Sequence, residues 1–310
     1  MFNKLFYLGG QAHERQIKKC YRYYEAMSNL IGISDYTDGI YFGDKEISYE
    51  QAQQNQTNYL LDEAKVVAGM TVLDIGCGRG RLLEAIEARG GKAIGITLSE
   101  EQHNYCVQKG LEVYLLNYKD IANDWDKRFD AIIANGSLEH FVSTQQGLNR
   151  QASKVYHHLF ESVHRLINPE SSSARFVTTA IHHRIDYGSK PKLSIKNKLM
   201  FSLLNRIYSG WYPLNGQLEH CAKDLFKTVR MEDGTTDYLW TSQQAFKGWY
   251  KHCLPRPRHT KNSFDYFWQL LKTGVDAPLY FFNPILWTWQ FKGAPPPVIL
   301  NRHTWQRIKS

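Results

Sequence analysis

Between Val72 and Gly80 the chain reads Val-Leu-Asp-Ile-Gly-Cys-Gly-Arg-Gly, an apolar run that breaks into three glycines at alternate positions. The run Thr71 to Ile75 suits a strand buried on both faces of a parallel sheet. Glycines directly after it let the backbone turn sharply into a helix and approach a ligand closely. The carboxyl edge of such a sheet is where open α/β folds bind nucleotide-like ligands. A dinucleotide site spaces its glycines G-x-G-x-x-G and aims a helix N-terminus at a pyrophosphate. This loop is G-x-G-x-G, with an acid, Asp74, two residues before the first glycine.

The surrounding pattern alternates. Ser48-Tyr49-Glu50-Gln51 has capping-box spacing and opens a helix expected to reach about Val66. Downstream come helix 81–89, strand 92–96, helix 99–109, strands 112–116 and 130–134, helix 154–166 and strand 175–181. Strand and helix at this interval imply βαβ units and a parallel sheet. Residues 182–215 break the rhythm with cations (His182, His183, Arg184, Lys190, Lys192, Lys196, Lys198, Arg206) set among apolar residues, and are expected to cover the sheet. Two further strands are expected near 226–231 and 285–291, before Pro295-Pro296-Pro297 ends regular structure. One domain over 1–310 is expected: a helical lid at 1–50, a core at 51–181, a cover at 182–240, C-terminal helices and the last strand at 241–292, and a basic tail at 293–310.

With 43% apolar and 22% charged residues the composition is that of a globular chain. The longest nearly apolar stretch, 278–289, is short of the roughly 20 residues a bilayer requires. No transmembrane helix or signal peptide is therefore expected, and a cytoplasmic location is. The five cysteines form no C-x-x-C pair, which excludes the common zinc spacings. Adjacent side chains diverge, so His157-His158 and His182-His183 do not make a metal site either, and no metal is expected. The net charge of +8 permits peripheral contact with an anionic membrane, while no nucleic-acid module accompanies it. The oligomeric state is not legible.

The glycine loop with its acid resembles motif I of the Rossmann-like S-adenosylmethionine (SAM) methyltransferases. In most of those the second strand ends in an acid that holds the ribose; here it ends Gly95-Ile96-Thr97-Leu98-Ser99-Glu100-Glu101-Gln102. That T-L-S-x-x-Q ending is similar to the cyclopropane fatty acid synthases and mycolic acid cyclopropane synthases. Tyr41-Phe42 with Ile47 to Gln53, Phe129-Asp130 through Ser137-Leu138-Glu139-His140-Phe141, Tyr156 to Ile167, and Tyr266 to Leu271 extend the resemblance over roughly 20–292. It implies a class I methyltransferase fold: α/β, a doubly wound and mostly parallel sheet, with a helical N-terminal lid and a cover inserted over the substrate pocket. It also implies SAM as cofactor, with Asp74, Gly76, Cys77 and Gly78 around the methionine moiety. Thr97, Leu98 and Gln102 would face the ribose and adenine, Tyr118 the adenine, and Asn135 also the cofactor. Thr37 and Asp38 stand in place of a Tyr-Ser pair that reaches the cofactor carboxylate.

The same family closes a cyclopropane ring with bicarbonate as base, gripped by a Cys, a Glu, a His and a Tyr. In this sequence those positions fall on Gly39, Glu139, Thr179 or its neighbour, and Tyr238. Two holders are missing, and a buried anion with half its partners gone is poorly held. The expectation is C-methylation of a lipophilic unsaturated acceptor (a specialised metabolite, a prenyl-type chain or a lipid) without ring closure, with Glu139 and Tyr238 as the catalytic candidates. N-methylation of an alkaloid-like amine, true cyclopropane synthesis, and SAM binding without catalysis are the alternatives.

Overall fold

The structure is a computed structural model and describes residues 17, 18, 21, 35, 37–189, 193–208, 210–247, 249, 260–272 and 276–309. Its centre is an eight-stranded sheet. Strands β1 (Thr71–Ile75), β2 (Lys92–Thr97), β3 (Val113–Leu115), β4 (Ala131–Asn135) and β5 (Arg175–Asp186) pair in parallel in the order β3-β2-β1-β4-β5. A two-residue strand, β6 (Leu214–Asn215), pairs with the far end of β5. β7 (Phe226–Asp233) and β8 (Val298–Arg307) complete the sheet, with β8 antiparallel to both β5 and β7 and lying between them.

Helices follow the strands as the alternation requires. α1 (Tyr49–Glu63) starts at Ser48, whose hydroxyl accepts from the Gln51 amide. α2 (Arg81–Ala88) follows the glycine loop, and α3 (Glu100–Gln108) is capped by Ser99. After the short α4 (Thr144–Leu148) comes α5 (Ala152–Leu166), which buries Tyr156, Leu159, Phe160, Val163 and Leu166. That spacing is the apolar stripe of a helix laid on a sheet. α6 (Ile195–Tyr208) and α7 (Gln217–Ala222) flank β6. α8 (Thr235–Ala245), α9 (Thr260–Lys272), α10 (Ala277–Phe281) and α11 (Asn283–Trp289) make a helical cover with α6. The cover packs its own apolar cluster, including Phe201, Trp249, Tyr266, Tyr280 and Phe291, against Ile181, Val298 and Leu300 of the sheet.

Three expectations are corrected. Residues 285–291 are not a strand, because Asn283–Trp289 is helical; the helix buries Asn283, Pro284, Leu286 and Thr288 while Trp287 and Trp289 pack against the cover's apolar cluster, so its burial pattern alone does not distinguish it from a strand. The last strand lies instead at 298–307, inside the stretch read as a tail. Its burial is nearly continuous because it is inserted between two strands and covered on both faces. Finally, β5 runs on to Asp186, so His182 and His183 are core residues rather than part of a basic surface. Burial pushes their imidazoles down to about 3 and about 4, which keeps both neutral. Lys190, Lys192 and most of residues 1–36 of the stretch 1–50 expected as a helical lid lie outside the described residues.

Candidate active site

A cleft of about 1660 Å³, counting its open mouth, lies across the carboxyl ends of β1 and β4 and the middle of the longer β5. One end is built by the glycine loop and the start of α3: Gly76, Gly78, Ser99 and Gln102 line it, facing Asp35, Thr37 and Asp38 of the segment before α1. The other end is aromatic, with Tyr208, Tyr212, Tyr238, Phe246 and Trp287 coming from the cover. Asn135, Glu139, Thr179 and Ile181 lie among the lining residues contributed by the sheet and the turn after β4.

At the first end the loop needs glycine for two separate reasons. Gly76 has φ +85°, and a Cβ on it would lie 2.7 Å from the Ser137 Cβ. Gly78, at φ +55°, faces open space. Asp74 sits beneath the loop, 1% exposed, and its Oδ1 has no hydrogen-bond partner among the described residues. Burial without a counter-charge raises its carboxyl to about 8. A cation brought into the loop would favour the ionised form, so this acid suits a ligand with an ammonium group. At the end of β2 the Thr97 hydroxyl donates to Gln102 Oε1 at 2.9 Å, which fixes the amide that reaches the cleft.

Of the expected cofactor residues, Thr37, Asp38, Gly76, Gly78, Gln102 and Asn135 line the cleft together. Asp74 and Thr97 stand behind that wall, while Cys77, Leu98 and Tyr118 are not among the lining residues. The Cys77 side chain is buried, and its sulfur lies 2.8 Å from where a Cβ on Gly95 would be, so it packs under β2 rather than facing a ligand. Tyr118 stacks on Phe141 with ring centroids 4.6 Å apart. Asp38 is buried at 4% exposure; its Oδ2 takes a hydrogen bond from Arg302 and its Oδ1 one from Gln56. Both oxygens are thus engaged, which leaves this carboxylate unsuited to greeting another carboxylate.

Glu139 belongs to the 3₁₀ turn Leu138–His140 that follows β4. Its Oε1 accepts the Ile181 amide at 2.7 Å, whereas Oε2 is buried with no partner among the described residues. Burial, reinforced by the nearby charge of Asp38 and opposed by the Ile181 hydrogen bond, lifts this carboxyl to about 7. Tyr238, 8% exposed, presents its ring beside Trp287 and Phe291, at centroid distances of 5.8 and 4.6 Å. Its hydroxyl is pushed far up by burial, so it stays protonated. Gly39 packs so tightly on α1 that a Cβ there would meet the Ala52 Cβ at 2.5 Å. Thr179 donates to Asn135 Oδ1 at 2.5 Å and accepts from the Gly136 amide at 2.9 Å.

Sequence reasoning missed Tyr208, Tyr212 and Trp287 as cleft residues and Arg302 as a partner of Asp38. The aromatic richness of the C-terminal half was the one available signal for the first three; nothing local marks Arg302. Among the described residues no group of His, Cys, Asp and Glu is arranged to hold a metal ion, and no helix is long and apolar enough to cross a membrane.

Comparison with known proteins agrees with this layout. Residues 14–252 match the family model described as mycolic acid cyclopropane synthetase. The chain is 29% identical over 183 residues to cyclopropane mycolic acid synthase 3 of Mycobacterium tuberculosis, covering 56% of this chain and 59% of that protein. It thus spans less than two thirds of that relative's length. It is 27% identical over 161 residues to a probable (S)-tetrahydroprotoberberine N-methyltransferase 2 of Papaver bracteatum, 45% of each chain. Among solved structures, a cyclopropane synthase of Mycobacterium tuberculosis superposes with a TM-score of 0.71 over 98% of this chain and 99% of that one, at 18% identity.

Proposed function

Because this chain belongs to the mycolic acid cyclopropane synthetase family, we propose that it is a SAM-dependent methyltransferase that methylates carbon in a lipophilic unsaturated acceptor and stops short of a ring. The observation that carries the reading is Glu139: a buried carboxyl with one oxygen that has no partner among the described residues, in an aromatic cleft where two of the family's other three anion holders are replaced and only Tyr238 remains. Gly39 has no side chain and no room for one, and Thr179 is committed to Asn135 and Gly136.

The cofactor, when bound, supplies an electrophilic methyl on a sulfonium. Asp74, the glycine loop and Gln102 would hold it at one end of the cleft, and Leu204, Tyr208, Tyr212, Phe246 and Trp287 would hold the acceptor at the other, excluding water. An alkene held there would form the new carbon–carbon bond from its π pair as the carbon–sulfur bond of the transferred methyl breaks and its electron pair stays on sulfur, leaving a cation on the neighbouring acceptor carbon. The ring faces of Tyr238 and Trp287 and the charge of Glu139 would stabilise that cation. Glu139 Oε2 then takes a proton from an adjacent carbon, and the C–H pair becomes a new double bond. The product is one CH₂ heavier, carries a methyl branch or methylene, and has no ring.

Exposed apolar residues on two helices of the cover support a peripheral site on an anionic bilayer as the source of such an acceptor. Phe264, Trp268 and Leu271 lie on one face of α9 and are 65%, 50% and 45% exposed, and Ile195 and Leu199 are exposed on α6. Lys196 and Lys198 of α6 and Lys272 of α9 flank them. The experiment is incubation of the protein with methyl-labelled SAM and lipid extract of its host, followed by mass spectrometry and NMR of the labelled product. A methyl or methylene signal is expected; label in a cyclopropane overturns the reading, and label on nitrogen replaces it with the amine alternative.

A further inference from the structure

The last strand carries a buried charge that the chemistry above does not use. Arg302 is 3% exposed and lies opposite Thr179 in the β5–β8 register. Its guanidinium makes four hydrogen bonds: Nε to Gln56 Oε1 (3.0 Å), Nη1 to Asp237 Oδ2 (3.0 Å), and Nη2 to Asp38 Oδ2 (3.2 Å) and the Gly39 carbonyl (3.1 Å). One side chain of β8 thereby ties together α1, α8 and the segment 37–41. The planar fork of arginine suits this task, since acceptors on three elements surround it and an ammonium would reach fewer of them. Gly234 provides the room, because a Cβ there would collide with the guanidinium.

The tied segment is a wall of the cleft. Thr37 and Asp38 line it opposite Gly76, Gly78 and Gln102. Gln56 extends the tie by donating both to Asp38 Oδ1 (3.2 Å) and to Asn135 Oδ1 (3.4 Å), so that the end of β4 belongs to the same set. Backbone amides also hold the segment, that of Gly39 donating to the Thr241 hydroxyl and that of Tyr41 to the Asp237 carboxylate. What Arg302 adds is charge for Asp38, which burial otherwise drives toward the protonated form.

We propose that Arg302 is a positioning residue for the cofactor: acting through Asp38 and the Gly39 carbonyl, it clamps the 37–41 wall and sets affinity for an adenosyl amino-acid ligand rather than the rate of methyl transfer. This rests on the reading that the cleft binds SAM. It also gives Asp38 a role other than direct contact with the cofactor carboxylate.

The test uses the full-length protein and has three readouts: S-adenosylhomocysteine (SAH) binding without acceptor by calorimetry, hydrogen exchange of the 37–41 amides, and turnover of methyl-labelled SAM with the host lipid extract. Arg302→Met should weaken SAH binding about tenfold or more and speed exchange in 37–41, while kcat at saturating SAM stays within about threefold of wild type. Arg302→Lys should fall between, since it keeps the charge and loses the fork. Gly234→Ala, which displaces the guanidinium without removing it, should weaken binding in the same direction and carries the test if Arg302→Met does not fold. Wild-type protein that fails to bind SAH overturns the cofactor reading itself. Wild-type binding with folded variants that bind within twofold of it, or with kcat lost and affinity kept, overturns the role assigned to Arg302.

Discussion

Replacing Glu139 by Gln should abolish turnover and at the same time stabilise the protein. The glutamine carbonyl can keep the 2.7 Å bond from the Ile181 amide, so the turn after β4 has no reason to rearrange. What is lost is the capacity of Oε2 to take a proton, an effect typically of 10² to 10⁴ in rate. The stability change follows from the carboxyl's rise from 4.5 to about 7 on folding. Between those values the folded state binds a proton that the unfolded state has released, so stability falls as pH rises through the window and is lowest above 7. A shift of that size corresponds to at most about 3 kcal/mol at pH 8. The glutamine variant does not pay it, which for a chain of 310 residues means a Tm higher by up to about 4 °C. At pH 5 the two proteins should melt within about 1 °C of each other. Because the base must be ionised, wild-type kcat should also fall about tenfold from pH 8 to pH 6. The assays are SAH release with the identified acceptor across pH, and scanning calorimetry at pH 5 and 8. A variant that keeps more than half of wild-type turnover, or that melts lower at pH 8, would refute the assignment of a buried base.

Asp74→Asn should lower SAH affinity at least tenfold, and it should remove a proton release that wild type shows on binding below pH 8, because a ligand ammonium favours the ionised carboxylate over one held at about 8; calorimetry in buffers of different ionisation enthalpy reads both. Trp305→Ala should cost about 3–5 kcal/mol in denaturant unfolding, since this ring is fully buried against Phe160, stacks on His303 and donates to Thr178. Phe264→Glu with Trp268→Glu should abolish cosedimentation with vesicles rich in anionic lipid while leaving SAH binding intact; unchanged sedimentation would remove the bilayer from the account.

The fold was legible wherever local pattern and burial agree. The run Thr71 to Ile75, the glycines behind it and the capped helices at Ser48 and Ser99 all say locally what the sheet requires. It was illegible where tertiary context decides. The run Asn283–Trp289 is as apolar and aromatic as a strand, yet it packs as a helix in the cover; Val298–Arg307, with Asn, two Arg and His among ten residues, looks like a solvated tail until it is seen between β5 and β7. Most of its polar side chains are tolerated because they find specific partners: Arg302 meets Asp38, Asp237 and Gln56, His303 meets Glu219 and Thr304 meets Glu63, while Asn301 Nδ2 is buried without one among the described residues. Such pairs are separated by tens to hundreds of residues and leave no periodicity to read. The site divides the same way, since Gly76 and Gly78 announce themselves whereas the aromatic wall needs the cover to be folded.

Gly39 and Thr179 look in the sequence like two independent losses from an anion-binding set, but in the structure they serve one arrangement. The Gly39 carbonyl accepts from Arg302, Thr179 donates to Asn135, and Gln56 links Asn135 to Asp38. Positions that the family resemblance assigns to gripping a base are here engaged in holding the cleft wall. Restoring them singly should therefore not restore ring closure. In Gly39→Cys the new Cβ meets the Ala52 Cβ at 2.5 Å and must push the 37–41 segment off α1. The expected result is weaker SAH binding and no cyclopropane, with or without added bicarbonate. In Thr179→His the imidazole replaces a hydroxyl that donates to Asn135 and accepts from the Gly136 amide, so the side-chain tie between β5 and the end of β4 is lost and the amide keeps only the Thr179 carbonyl. A triple variant that adds Ala52→Gly relieves the first clash and is the fair test of whether four holders suffice. Cyclopropane from the Gly39→Cys variant alone would show that the wall yields easily and that the clamp is weaker than its four hydrogen bonds imply.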